Sequence, residues 1–160
     1  MLHFTAMPTI TITCERPDTP DSQVLIAELD AYLDPLYPSE SRYGYSVEKL
    51  LTQGVVFFVL RVGDAPVGCG GLQFFGTEYA EIKRLYIREA FRGRGLAPQL
   101  LDQLIAYARS QKITVLRLET GMHQHAAIRL YERAGFIPIP LPRRSPQPVL
   151  REVAVLTLLC

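Results

Sequence analysis

Apolar and polar residues change their period several times along the chain, and each period predicts an element. "TITITC" (Thr9 to Cys14) alternates β-branched and polar residues and predicts a first strand. Pro17, Asp18, Pro20 and Asp21 then interrupt the chain. From Gln23, the residues Val24, Leu25, Leu29, Ala31 and Leu33 recur at helical spacing and end near Asp34, before Pro35. "LYPSESRYGY" (Leu36 to Tyr45) has the composition of a surface loop, and "SVEKLL" after it predicts a short helix capped by Ser46. "VVFFVLRV" and "PVGCGGLQFF" are β-rich runs separated by "GDAP", which predicts a hairpin, and "YAEIKRLYI" (Tyr79 to Ile87) alternates as a fourth strand.

The second half switches to helical period. Leu96, Leu100, Leu101, Leu104, Ile105 and Ala108 keep one face apolar while Gln99, Asp102, Gln103 and Arg109 occupy the other. Pro98 falls in the first turn of this helix, where no intrahelical hydrogen bond is lost. "TVLRLET" predicts a short strand and "HAAIRLYERA" a second helix, with Gly135 and Phe136 placed as a left-handed cap and its hydrophobic contact. Pro138, Pro140, Pro142, Pro146 and Pro148 make an irregular segment over 138–148, after which "REVAVLTL" (Arg151 to Leu158) resumes a strand pattern. Antiparallel strands followed by a strand-helix-strand-helix unit predict a mixed α/β (α+β) fold, and 160 residues suit a single domain over 1–160.

Composition narrows the function classes. With a net charge of +1, the chain has no global attraction for nucleic acid or an anionic membrane, so any electrostatic recognition is local. Cys14, Cys69 and Cys160 are odd in number, far apart and outside any C-x-x-C pair, which predicts neither disulfides nor a metal site. The N-terminus lacks a signal-peptide pattern and no run reaches the roughly 18 apolar residues of a membrane span. A cytoplasmic protein without nucleic acid or membrane as partner is the expectation, with a homodimer compatible.

"REAFRGRGLA" (Arg88 to Ala97) gathers charge and backbone freedom between a strand and an amphipathic helix. A helix N-terminus offers unpaired N–H groups and a partial positive charge, and preceding glycines let the backbone close around a phosphate. Taken alone, these letters equally describe a solvated turn that starts a helix. A P-loop is excluded because no Lys-Ser or Lys-Thr follows, and a dinucleotide fingerprint fails where Pro98 stands in place of Gly or Ala. What remains is Arg-x-x-Gly-x-Ala, Arg92 to Ala97.

Strand "EIKRLYI", loop "RGRGLA", helix "PQLLDQLIAYA", strand "VLRLET" and helix "AAIRLYERAGF" together resemble the Gcn5-related N-acetyltransferases, the acetyl-CoA-dependent GNAT family. The resemblance covers Tyr79 to Ile137 strongly and the earlier order more loosely. It implies a mixed, mostly antiparallel twisted sheet flanked by helices, with a central splayed strand pair, and acetyl-CoA as cosubstrate. It further implies a pyrophosphate cradle at Arg92, Gly93, Arg94, Gly95, Leu96 and Ala97, and backbone partners for the pantetheine arm at Leu85, Tyr86 and Ile87. Tyr131 matches the family's tyrosine beside the cofactor. Gln124 stands where the family carries asparagine, with the same amide chemistry on a longer arm.

The chemistry asked of these residues is acetyl transfer to an amine. An aliphatic ammonium cannot attack a thioester until a proton leaves, so a base or water relay is required, and a phenol can protonate the departing thiolate. Tyr131 is thus the expected general acid. Glu81 is a candidate base, since some protein-acetylating members carry a glutamate in the corresponding strand; the alternatives are an ion pair with Lys83, Arg84 or another neighbouring cation, and a substrate-binding role. Strict pleating would put Glu81 on the face of Leu85 and Ile87, and a bulge would re-aim it. His123 and His125 lack an evident third ligand for a metal and read as cap or loop residues, either of which could serve as a base if it faced the pocket. Cys69 reads as a small buried side chain.

Tyr37, Glu40, Arg42, Tyr43 and Tyr45 lie in a region that commonly borders the acceptor site in the family. Arg42 and Tyr43 are therefore candidate acceptor-binding residues, with a packed surface loop as the alternative. The family usually closes its sheet with a C-terminal hairpin, from which the proline-rich segment departs. The expected activity is acetylation of a primary amine on a small metabolite or amino-acid-like molecule by direct transfer. Protein N-acetylation and a noncatalytic acyl-CoA-binding role are the alternatives.

Overall fold

Both halves of the chain contribute to a single sheet. The computed structural model of the protein describes residues 6–36, 45–121, 124–140 and 153–159. In order, the elements are β1 (Ile10–Glu15), α1 (Pro20–Leu33), α2 (Val47–Thr52), β2 (Val56–Val62), β3 (Ala65–Phe75), β4 (Tyr79–Ile87), α3 (Leu96–Ser110), β5 (Val115–Gly121), α4 (His125–Arg133), β6 (Ile137–Ile139) and β7 (Val153–Leu159). The seven strands run in the order β1-β2-β3-β4-β5-β7-β6. All neighbours are antiparallel except β4 and β5. The α+β sheet with helices on it agrees with the architecture expected from the sequence.

Side-chain alternation sorts the sheet into two faces. The apolar stripe of α3, Leu96, Leu100, Leu101, Leu104, Ile105 and Ala108, packs against Phe58, Leu60, Leu72, Ile82, Leu116 and Leu118. On the other face Leu25 and Ile26 of α1 and Leu50 of α2 cover Phe57, Val59 and Cys69. Each leucine fully removed from water contributes about 1.5–3 kcal/mol, so these two layers supply the main drive to fold. Among the described residues, no helix is long and apolar enough to cross a membrane.

Local chemistry sets the element ends. Helix α1 starts at Pro20, three residues before the expected Gln23, because Thr19 caps it by accepting from the Ser22 N–H at 3.2 Å and proline suits the first helical position. Ser46 caps α2 as expected, accepting from the Lys49 N–H at 3.1 Å. A single 3₁₀ turn over Glu89–Phe91, unforeseen in the sequence, leads into α3. The C-terminal strands do form a hairpin: β6 pairs with β7 from Ile137↔Thr157 to Ile139↔Val155. Pro138 is accommodated because β6 is the sheet's edge strand, where a missing N–H can face away from the ladder. The rest of the proline-rich segment, from 141 to 148, lies outside the described residues.

The end of α4 shows the complete left-handed cap. Gly135 has φ +98°, its N–H donates to the Glu132 carbonyl at 3.0 Å, and the Phe136 N–H donates to the Tyr131 carbonyl at 3.0 Å. The rings of Tyr131 and Phe136 meet edge to face at 5.8 Å, supplying the hydrophobic contact that accompanies such caps. A Cβ at Gly135 would also lie 3.3 Å from Leu158 Cδ1. Gly135→Ala is therefore expected to lower stability by about 1–2 kcal/mol, seen as an earlier urea midpoint with unchanged slope.

Candidate active site

Strand β4 changes register within its own length. Gly71 faces Lys83 and Cys69 faces Tyr86, so Arg84 and Leu85 together stand opposite Gly70. Arg84 sits at φ +56°, a conformation a non-glycine residue holds only when its surroundings fix it. Those surroundings are on α1: the Arg84 guanidinium donates to the Ile26 carbonyl at 3.2 Å and pairs with Asp30. Nearby, Glu28 of α1 accepts from Arg88 at 2.8 Å. The bulge is thus clamped to α1 from two points.

The bulge is accompanied by a parting of strands. β4 and β5 pair only at Ala80↔Leu116, Glu81↔Arg117 and Ile82↔Leu118, although β4 continues to Ile87 and β5 to Gly121. Beyond the last pair a cleft of about 680 Å³ opens, lined by β4, the loop into α3, α4 and α1. Leu85, Tyr86 and Ile87 border it, and so do Arg92, Gly93, Gly95, Leu96, Ala97, Gln124 and Tyr131. The side chains of Leu85 and Ile87 also pack in the α3-side core and that of Tyr86 in the α1-side core. Of the six residues expected to form a pyrophosphate cradle, Arg94 is the one not on the cleft wall; its guanidinium lies over the Phe91 ring at 5.0 Å.

Glycine geometry shapes the cleft floor. Gly93 and Gly95 have φ +78° and +74°, and Gly95 is the N-cap of α3 without any side-chain cap hydrogen bond. A Cβ at either would meet no protein atom within 4 Å, so the space above them is free for a ligand. Arg92 reaches back along the wall: its Nε donates to the Ile87 carbonyl at 3.0 Å, and its guanidinium lies 4.9 Å from the Tyr32 ring. The wall formed by Leu29 and Tyr32 was missed from the sequence. Tyr32 follows Leu29 by one helical step, and this continuation of the α1 stripe toward a polar ring was the available signal.

Tyr131 is only 6% exposed, and burial pushes its phenol well above the ordinary tyrosine value. The group therefore stays protonated through the neutral range. Cys69 is fully buried, its thiol donates to the Arg84 carbonyl at 3.4 Å, and burial pushes its pKa up to about 12, which makes it a packing residue rather than a nucleophile. Gln124 is the N-cap position of α4, and His125 follows it on the cleft wall.

Glu81 is placed elsewhere. The bulge puts Glu81, Lys83 and Tyr86 on one face of the sheet, while Leu85 and Ile87 take the other, so the strict-pleating expectation does not hold. Its carboxylate pairs with Lys83 Nζ at 2.7 Å and is not on the cleft wall. For Lys83, burial acts to lower the pKa, but the hydrogen bond and charge of Glu81 outweigh it and the pKa lies above its usual value. Lys83 also sits 4.4 Å over the Tyr45 ring, whose other cationic neighbour is Lys49 at 4.3 Å. Arg42, Tyr43 and His123 lie outside the described residues, and among the described residues no group of three or more His, Cys, Asp or Glu could hold a metal ion.

Residues 23–136 match the Acetyltransferase (GNAT) family. A relative named IAA acetyltransferase, from Azospirillum brasilense, is 37% identical over 132 residues, covering 81% of this chain and 86% of its own. A Klebsiella pneumoniae structure assigned as an acyl-CoA N-acyltransferase superposes with a TM-score of 0.74 at 34% identity, covering 92% of this chain and 95% of its own. A GNAT family acetyltransferase from Elizabethkingia anophelis, crystallised with acetyl-CoA bound, shares the fold at a TM-score of 0.72 and 22% identity, over 94% of this chain and 98% of its own. The chain belongs to the GNAT acetyltransferase family. It is an N-acetyltransferase with acetyl-CoA as cosubstrate.

The buried phenol has a measurable consequence. A tyrosine whose folded pKa lies above its unfolded value of about 10 stabilises the fold fully below that pH and loses the contribution as pH rises from there toward the folded pKa. Stability of the wild type is therefore expected to fall more steeply above about pH 10 than that of Tyr131→Phe, in paired urea titrations across that range.

Proposed function

We propose that the protein moves the acetyl group of acetyl-CoA directly to a primary amine of a small metabolite or amino-acid-like molecule. The observation that carries this reading is the convergence on one cleft of a splayed strand, an α3 N-terminus entered through two left-handed glycines, and a buried neutral phenol. The uncapped amides at Gly93 to Ala97 and the partial charge of the helix suit a pyrophosphate. The unpaired edge of β4 from Leu85 to Ile87 suits the amides of a pantetheine arm. Gln124 borders the same space and offers an amide to the cosubstrate.

In the reaction, the neutral amine attacks the thioester carbonyl, the carbon–sulfur bond breaks as Tyr131 donates its proton to the departing thiolate, and the proton that nitrogen sheds on becoming an amide returns through water to the tyrosinate. The ammonium proton leaves beforehand. The ion pair between Glu81 and Lys83 favours a holding role for that carboxylate, and water is then the proton acceptor. The relative named for acetylating IAA supports turnover over a noncatalytic role.

Calorimetry with acetyl-CoA followed by thiol-release assays over an amine panel tests the reading. Absence of acetyl-CoA binding by the folded protein removes it, tight binding without turnover on any amine favours the noncatalytic alternative, and turnover confined to protein substrates favours protein acetylation. Tyr131→Phe is expected to lower kcat about 100-fold with a much smaller change in acetyl-CoA affinity, as for loss of a general acid. An unchanged kcat with chemistry rate-limiting removes Tyr131 from that role. Gly95→Val is expected to weaken acetyl-CoA binding at least about tenfold, because a branched residue resists positive φ and its side chain fills the space over the turn.

A further inference from the structure

The face of the sheet opposite α3 carries a ladder of charge that the donor site does not use. Arg117 of β5 stands in register with Glu81 of β4, one step before the last pair Ile82↔Leu118. Glu81 is committed to Lys83 at 2.7 Å. Arg117 has no carboxylate partner among the described residues. Its guanidinium lies 4.3 Å over the Tyr79 ring, and its Nε is buried without a hydrogen-bond partner. A fixed guanidinium with a buried unsatisfied N–H carries a standing cost that an anion in its plane removes.

We propose that Arg117 recognises a carboxylate on the acceptor, so that the amine acetylated belongs to a small amino acid or a similar zwitterion. This rests on the amine-acetylation reading above. Alternation along β5 puts Arg117 and Glu119 on the face away from the core residues Leu116 and Leu118. The gap where β4 and β5 part opens after Leu118, so a carboxylate held at Arg117 lies one paired residue short of the opening, and its amine end would have to extend toward it. The surroundings match a zwitterion. Glu119, exposed and two residues along the same strand, offers negative charge to its ammonium end. The Tyr79 ring supports the guanidinium at 4.3 Å, and the planar fork of an arginine suits bidentate binding of a carboxylate.

The test compares kcat/KM for α-, β- and γ-amino acids with that for their matched carboxamides. The wild type is expected to favour a carboxylate over its carboxamide by at least about tenfold. Arg117→Gln brings the ratio near unity through KM, Arg117→Lys keeps part of it, and the remote Arg109→Gln on α3 keeps it whole. A second measurement uses the wild type alone: propionate inhibits competitively against the acceptor and propionamide does not. A wild type indifferent to the carboxylate, or a ratio unmoved in Arg117→Gln, overturns the proposal while leaving amine acetylation standing. Acetyl-CoA binding without acetylation of any amine, or acetylation of protein amines alone, overturns both. Should Arg117→Gln not fold, the Arg117→Lys ratio and the propionate pair decide.

Discussion

The site depends on the parting of β4 from β5 after three residue pairs. A parallel pair that ran the full length of both strands would satisfy its own backbone groups and leave a ligand nothing to bond. The parting is built into β4 by the two-residue bulge at Arg84 and Leu85, which carries a non-glycine residue at φ +56°. Such a conformation costs on the order of 1–3 kcal/mol and persists only under constraint. Here the constraint is α1: the Arg84 side chain, 5% exposed, is held by the Ile26 carbonyl and by Asp30. Removing one partner of a buried charge costs more than the pair contributes, so this contact fixes position more than it adds stability.

The same helix ties several parts of the site together. Glu28 binds Arg88 just past the end of β4, Leu29 and Tyr32 form a cleft wall, and the Tyr32 ring supports Arg92. Arg92 in turn takes the Ile87 carbonyl, fixing the start of the glycine turn to the end of the splayed strand. A displacement of α1 would therefore reach the bulge, the turn and the cleft wall together, through direct contacts. This is why the helix is pinned by ion pairs at two places rather than by apolar packing alone.

Much of this was legible in the letters, for physical reasons that can be named. Alternation located β4, the apolar stripe located α3, and the glycines of "RGRGLA" announced positive φ at a helix start, because each of these is a local rule. Gly135 and Phe136 were legible for the same reason. The bulge was not. It arises from tertiary partners more than 50 residues away, since Arg84 bonds to Asp30 and Ile26, 54 and 58 positions earlier in the chain. Without its register shift, Glu81 cannot be put on the correct face, and its ion pair with Lys83 stays one option among several. The wall residue Tyr32 was hidden likewise, because a helical tyrosine looks the same whether it faces solvent or a cleft. The edge position of β6, which lets Pro138 sit in a strand, depends on strand order, and strand order is not written in any local pattern.

The bulge also separates two tasks that a regular strand would mix. With an unbroken period of two, Glu81, Lys83, Leu85 and Ile87 would all share one face, and charged groups would compete with the apolar packing that α3 needs. One extra residue reverses the parity. Leu85 and Ile87 turn to the α3 side, where they wall the cleft proposed for acetyl-CoA, and Glu81 and Lys83 remain on the other side with Arg117 in register beside them. The α3 side of the cleft can then be apolar, beside the free backbone edge of β4 that an amide arm requires. The opposite face can hold paired and unpaired charge, as a zwitterionic acceptor would require. A single register shift thus accounts for both the opening between the strands and the difference in chemistry across it.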